Sequence, residues 1–401
     1  MLTGCTKHGR VHLTDERGSF MIYLDNAATT WPKPQQVVTA IEEALVHKGG
    51  NAGRGGHGAA MQMARLIYQT REDLCVLFGT NDPTRVVFTQ NATHALNQAL
   101  FGLLQPGDHV ITSSLEHNAV ARPLWALKQR GIEVSEIPGV PGGEFDLEAY
   151  NKAFQPNTKL VVTLHASNVT GTLLPVKEIG QIAHEHGVYY LLDAAQTAGV
   201  FPIDVGRLFV DLLAFPGHKG LLGPQGTGGL IVKPEIRLEP LIYGGTGSRS
   251  EEDRQPDFLP DALESGTLNG AGIAGLGAGV RYILSEGVDK IRVREQALCR
   301  KLWEGLREIP GVKLYGSEMV ERRSPILAFN IGEIDSIKAG FILEQEAGVI
   351  ARAGLHCAAH AHRMLGTLEQ GVVRFSPSHF TSEEEIKTAL QAVRRVAEEM
   401  S

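Results

Sequence analysis

Short apolar runs rich in β-branched residues alternate along this chain with stretches whose apolar positions recur every three or four residues. RVVFT (Arg85–Thr89) precedes the helical pattern NATHALNQALFGLL, and HVITS (His109–Ser113) precedes NAVARPLWALKQRG. KLVVTLH (Lys159–His165) leads through a turn to VKEIGQIAHEHG, and YYLLD (Tyr189–Asp193) leads into a further loop. The short runs are apolar throughout rather than alternating, which suits strands covered on both faces. Repeated strand–helix units predict the α/β class, with a mostly parallel sheet between two layers of helices. Beyond NGAGIAGLGAGVRYILSEG the pattern changes to one long amphipathic helix with charged faces, running to about Leu306, and then to a shorter βαβ-like tail. The expected units are an N-terminal arm (1–32), a large domain (33–264) and a smaller C-terminal α/β domain (265–401), with the arm packed near the latter. No internal repeat or low-complexity segment interrupts them.

Composition narrows the class of partner. The chain has 401 residues, 43% hydrophobic and 21% charged, as expected for a soluble globular protein of two or three domains. A net charge of −7 with no cluster of Lys or Arg argues against nucleic acid or an anionic membrane as partner and for a small molecule or another protein. Cys5, Cys75, Cys299 and Cys357 are far apart and form no C-x-x-C pair, which reads as a reducing, cytoplasmic chain without a disulfide framework. The run GAGIAGLGAGV (Gly270–Val280) is well short of the roughly 20 residues a membrane span needs. The first twenty residues lack the apolar core of a signal peptide. They read as a loose arm or an upstream start, with Met21 as initiator.

In open parallel sheets, ligands gather beyond the carboxyl ends of the strands, and several chemically able residues stand at such ends here. Glu116 and His117 follow HVITS, Asn168 follows KLVVTLH, Asp193 ends YYLLD with Gln196 three residues later, and His218 and Lys219 follow LLAFP. Taken singly, such a His can be a packed core residue, such an Asp a helix cap and such a Lys merely exposed. Their order and spacing together point further. An amine among apolar and glycine residues loses its proton more easily than one in water, as a Schiff-base lysine requires. An aldehyde cofactor on Lys219 would need a carboxylate for its ring nitrogen, which Asp193 supplies, and a flat group over its face, which His117 supplies. Its phosphate would need a hydroxyl at a helix start, which Thr93 supplies. Lys219 is thus the candidate carrier of pyridoxal phosphate.

The blocks YLDNAATT, EHNAVARP, HASNVTGT, DAAQ, GHKGLLGPQGTGGL and RAGLHCA resemble those of class V aminotransferase-fold enzymes of the cysteine desulfurase and selenocysteine lyase type, from about Ile22 to the C-terminus. The resemblance implies fold type I of the pyridoxal-phosphate-dependent transferases: a large domain on a seven-stranded, mostly parallel sheet, and a smaller C-terminal α/β domain. It implies that Lys219 binds the cofactor covalently, Asp193 pairs with the pyridine nitrogen, Gln196 meets the phenolic oxygen and His117 stacks on the ring and moves protons. Thr93 and His218 would hold the phosphate, joined by Thr267 of ESGTLN from the second subunit of a homodimer. Asn168, Arg352 and Arg374 would hold the substrate, Arg374 gripping its carboxylate through two-pronged geometry. The usual serine before Gly-His-Lys is replaced by Pro216, so that contact to the phosphate is absent or replaced.

Within such a family the chemistry turns on Cys357 in RAGLHCAAHAHRMLG. An inert buried cysteine is one reading. Against it stand Arg352, His356, His360 and His362, whose positive character would favour thiolate. A zinc site on these same residues lacks the paired spacing and second ligand cluster that zinc sites use. A dinucleotide fold lacks its fingerprint, because Gly275, Gly277 and Gly279 begin a helix with no strand before it. A scaffold that merely kept the fold would need a broken lysine, carboxylate or thiol, and all three are present. The expected activity is conversion of L-cysteine to L-alanine, with a persulfide on Cys357 passed to an acceptor protein, as in iron–sulfur cluster assembly. L-selenocysteine or a larger thioether are the alternative substrates. Sixteen residues separate Cys357 from Arg374, so the thiol is expected on a short, ordered segment.

Overall fold

The computed structural model describes residues 20–53, 56–139 and 145–399. The reading of residues 1–20 as a loose arm or upstream start lies outside these, apart from Phe20 and the backbone of two short strands, β1 (Thr6–Lys7) and β2 (Arg10–Val11). A strand β3 (Ile22–Tyr23) and two helices, α1 (Gln35–His47) and α2 (Gly58–Phe78), come before the alternating region. That region runs β4 (Val86–Thr89), α3 (Ala92–Leu103), β5 (His109–Ser113), α4 (Asn118–Lys128), β6 (Glu133–Ile137), α5 (Leu147–Lys152) and β7 (Thr158–Leu164). It continues with α6 (Val176–Glu185), β8 (Tyr189–Asp193), β9 (Leu212–Pro216) and β10 (Gly228–Val232).

These strands form one seven-stranded sheet in the order β4-β10-β9-β8-β7-β5-β6. Only β10 runs antiparallel to its neighbours; β5 to β9 pair in parallel. Successive strand residues feed opposite cores: Ile111, Val161, Leu192 and Leu213 pack into one, while Val110, Leu160, Leu191 and Leu212 pack into the other. Both faces are therefore apolar, and the strands read as continuous hydrophobic runs because neither side meets water.

Two helices follow, α7 (Gly270–Glu286) and α8 (Val288–Arg307), parted at Gly287. The glycines of α7 serve close packing: a Cβ on Gly277 would overlap Thr70 of α2, and one on Gly279 the carbonyl of Leu221.

The remaining elements are β11 (Val312–Tyr315), β12 (Leu327–Ile331), α9 (Ser336–Ala347), β13 (Val349–Ile350), β14 (Arg352–Gly354), α10 (Ala359–Leu365), β15 (Val372–Phe375) and α11 (Glu383–Glu399). Here the βαβ-like expectation needs correcting. The four-stranded sheet β11-β12-β15-β14 is antiparallel at every pairing. The one strand that α9 leads into, β13, leaves this sheet and pairs in parallel with β3. Alternation along the chain identifies elements, but β13 takes its partner from more than 300 residues away, which no local pattern encodes. A third core gathers Leu302 and Leu306 of α8, Phe329, Phe375 and Val393 around this sheet, with Ile22 and Leu24 of the N-terminal segment included.

Candidate active site

An open cavity of about 520 Å³ lies beyond the carboxyl ends of β7, β8 and β9, lined by Thr93, His117, Asn168, Asp193, Gln196, His218 and Lys219. Seven of the candidate residues thus share one space. Thr267 does not: it is exposed and its hydroxyl accepts from Asn51 Nδ2 at 3.3 Å. Arg352, Arg374 and Cys357 belong to the smaller sheet and the loop beyond it.

Lys219 leaves β9 through Gly217, where a Cβ would collide with Thr227 Oγ1, so only glycine allows the turn to pack this closely. The carbonyl of His218 is held by Thr30 N at 3.1 Å, Thr29 Oγ1 at 3.1 Å and Lys33 Nζ at 2.7 Å. The peptide leading to Lys219 is therefore fixed by the 29–33 segment. Burial pulls the Lys219 amine down to about 8, outweighing the opposite pull of the Asp193 carboxylate. Asp193 is buried, accepts a hydrogen bond from Ala195 N at 2.8 Å, and is pushed up by burial more than Lys219 holds it down. His117 caps α4, its Nδ1 accepting from Ala119 N at 3.0 Å. Burial, with Lys219 nearby, pulls this imidazole down to about 4. It is neutral at physiological pH with its proton on Nε2.

Thr93 lies in the first turn of α3, where free N–H groups favour an anion. Two buried atoms facing this region have no partner, His218 Nδ1 and Asn168 Oδ1. Gln196 Nε2 donates to the Ala27 carbonyl at 3.2 Å. Arg374 is fully buried, bonded through Nη2 to Asp25 Oδ1 at 2.7 Å and through Nη1 to the Asn168 carbonyl at 2.8 Å, leaving Nε unpartnered. Arg352 stands opposite it in the β14–β15 register.

Cys357 is exposed and follows His356; both have left-handed backbone, φ +57° and +48°, a strain of roughly 1–3 kcal/mol each. The turn is held from two sides. Asn168 Nδ2 donates to the His356 carbonyl at 2.6 Å, and Asn118 N, next to His117, donates to the Cys357 carbonyl at 2.8 Å. The histidines expected to lend positive charge to the thiol do not do so. Burial pulls His356 down to about 2 and lowers His362, while His360 is bonded to Glu136 at 2.9 Å. Of the four groups, Arg352 alone is a cation with no ion pair among the described residues. Residues 359–365 form α10, which starts two residues after Cys357.

The sequence carries no signal for the roles of Asp25, Thr29 and Thr30, which fall in the block YLDNAATT, or of Lys33 just after it. Short polar side chains in a segment without periodicity show no partner until the fold brings Arg374 and His218 to them.

A seven-stranded α/β sheet that brings an amine, a carboxylate and an imidazole from the ends of β9, β8 and β5 to one cavity has the architecture of an enzyme of the aminotransferase fold. The chain belongs to the class-V aminotransferase family, whose sequence profile matches residues 22–388. It is 36% identical over 382 residues to a probable cysteine desulfurase of Methanothermobacter thermautotrophicus, covering 94% of both chains. It is 33% identical to a probable cysteine desulfurase of Mycolicibacterium paratuberculosis, spanning 95% of this chain but 56% of that longer one. Among solved structures, an apo cysteine desulfurase from Thermococcus onnurineus NA1 superposes with a TM-score of 0.88 at 32% identity, covering 94% of this chain and 95% of that one. No described helix is long and apolar enough to cross a membrane.

Proposed function

We propose that this chain is a pyridoxal-phosphate-dependent cysteine desulfurase that converts L-cysteine to L-alanine and takes the sulfur onto Cys357. The observation that carries this reading is the convergence of Lys219, Asp193 and His117 on one cavity, with Cys357 tied through its carbonyl to the residue after His117.

The residues fit the cofactor. An amine with a lowered proton affinity is available for its aldehyde, and a buried carboxylate for its pyridine nitrogen. A helix start and the unpartnered His218 Nδ1 are available for its phosphate. Bound there, pyridoxal phosphate supplies an electron sink for the bond changes at the substrate. Asp193 would hold the proton at the pyridine nitrogen, and His117 would lie against the ring. Gln196 would donate to the phenolic oxygen, and Thr93 and His218 would hold the phosphate. With Nη2 and Nη1 of Arg374 engaged by Asp25 and the Asn168 carbonyl, the expected two-pronged grip is reduced to Nε, which would serve the substrate carboxylate together with Asn168 and Arg352. Lys219 takes the Cα proton on Nζ. The Cys357 thiolate then forms an S–S bond to the substrate sulfur as the Cβ–S bond breaks. The electron pair of that bond stays with carbon, which is protonated on the way to alanine.

Selenocysteine would engage the same residues, its selenium replacing sulfur in that step. We further infer a cytoplasmic homodimer in which Thr267 of each subunit reaches the other's phosphate, and delivery of sulfur to an acceptor protein for iron–sulfur cluster assembly. A two-fold interface uses the same patch on both subunits.

Incubation of the yellow protein with L-cysteine should give alanine and a persulfide on Cys357, read by mass spectrometry. Cys357→Ser should keep the cofactor absorbance and its response to L-cysteine but form no sulfide. Unchanged sulfide release by that variant would remove Cys357 from the reaction.

A further inference from the structure

Glu116 is a buried acid beside the site for which the proposed reaction has no task. Only 3% of it is exposed. Its Oε1 accepts from Ser113 Oγ at 2.5 Å and from Leu164 N at 3.1 Å, while Oε2 is buried with no partner. Leu164 stands opposite Asp193 in the β7–β8 register. One carboxyl group thus clips the start of the turn to the strand pair that ends on Asp193. The next residue, His117, caps α4 and lines the cavity. The one after it, Asn118, holds the Cys357 carbonyl. Three consecutive residues therefore link β7, the neighbour of the strand bearing Asp193, to the imidazole and to the loop bearing the thiol.

The surroundings of Glu116 suit an acid that keeps its proton. The charged groups facing it are Asp193 on β8 and Glu136 on β6, the latter bonded to His360 on α10. Polar groups near it include the hydroxyls of Ser113 on β5, Tyr150 on α5 and Tyr190 on β8. Among the described residues no ion pair reaches its carboxyl, and the Tyr150 hydroxyl is itself buried without a partner. An ionised Oε2 would stand unpaired and in a field of like charge, the costliest arrangement for a buried group.

We propose that Glu116 is a positioning residue acting as an un-ionised acid, which locks the 116–118 turn and so sets the approach of Cys357 to a substrate held near His117. The inference rests on Cys357 as sulfur acceptor. Burial, the dominant influence on this carboxyl, pushes it up to about 8. Above that pH Ser113 and Leu164 still donate to Oε1, but the turn must hold a buried charge with no partner at Oε2, a cost that opens it toward water.

Glu116→Gln copies the protonated acid: an acceptor for Ser113 and Leu164, and a donor where Oε2 stands. Glu116→Ala removes the clip. In the holoenzyme, the Gln variant should form persulfide on Cys357 within about twofold of the wild-type rate at pH 7, and should hold that rate above pH 8, where the wild type declines. The Ala variant should keep its cofactor absorbance and its KM for L-cysteine but form persulfide on the order of tenfold slower. A second measurement is independent of activity. The folded-state proton affinity of Glu116 is raised above the unfolded value, so the wild-type fold loses stability as pH rises from roughly 4.3 toward 8. The Tm of Glu116→Gln relative to wild type should therefore climb across that window and level off beyond it. A Tm difference independent of pH would overturn the proposal. So would a Gln variant as slow as Ala at pH 7, or an Ala variant as fast as wild type. If the Ala variant binds no cofactor, the two Gln measurements decide alone. A wild type that makes no alanine refutes the desulfurase reading, while the Tm series still tests the protonated acid.

Discussion

In the cofactor-free protein the Lys219 amine should titrate near 8, where burial puts it, against roughly 10.4 for a lysine in water. At pH 7 about 9% of such an amine is unprotonated, compared with roughly 0.04% of an ordinary lysine, a ratio of about 200. Only the unprotonated amine attacks an aldehyde, so Lys219 should be labelled faster than surface lysines by up to that factor. Brief exposure to a small neutral aldehyde, borohydride capture and peptide mass spectrometry across pH 6–11 would measure it, with exposed Lys177 as internal reference. The sign of the Asp193 contribution gives a second arm. Its carboxylate raises the amine's proton affinity, so Asp193→Asn should move the labelling midpoint to lower pH. A Lys219 midpoint at or above 10, or an upward shift in the Asn variant, would refute the argument that burial prepares this amine.

The pair between Arg374 and Asp25 spans two distant parts of the chain, with the guanidinium 1% and the carboxylate 19% exposed. Asp25→Ala should lower unfolding free energy in urea by about 3–5 kcal/mol, because a buried charge is left without its partner, and should raise KM for L-cysteine. A loss below about 1 kcal/mol would mean the pair is effectively solvated. The short segment carrying Cys357 predicts a kinetic burst of about one alanine per site with L-cysteine alone, and faster steady turnover with a thiol reductant, as for an accumulating covalent intermediate. Linear release from the first turnover, indifferent to reductant, would contradict this.

Much of this architecture was legible in the chain itself. Continuous apolar runs such as HVITS and YYLLD announce strands covered on both sides, because hydrophobic periodicity is a local property that burial on two faces leaves unbroken. The positions of Lys219, Asp193, His117 and Asn168 follow from the same logic, since each comes directly after such a run and parallel strands point their ends to one edge. Other features depended on partners far away in the sequence. The βαβ-like tail forms an antiparallel sheet because β13 finds β3 instead of its neighbours. Arg374 shares its guanidinium between Asp25, 349 residues away, and the Asn168 carbonyl, 206 residues away. The histidines around Cys357 look basic in sequence, yet His356 and His362 lie in the interior, where desolvation removes their charge. Residue type and spacing determined which elements form and which groups stand at their ends. Strand partners, charge states and the hold on the thiol were decided by tertiary packing, because pairing, desolvation and long-range hydrogen bonds depend on neighbours in space rather than along the chain.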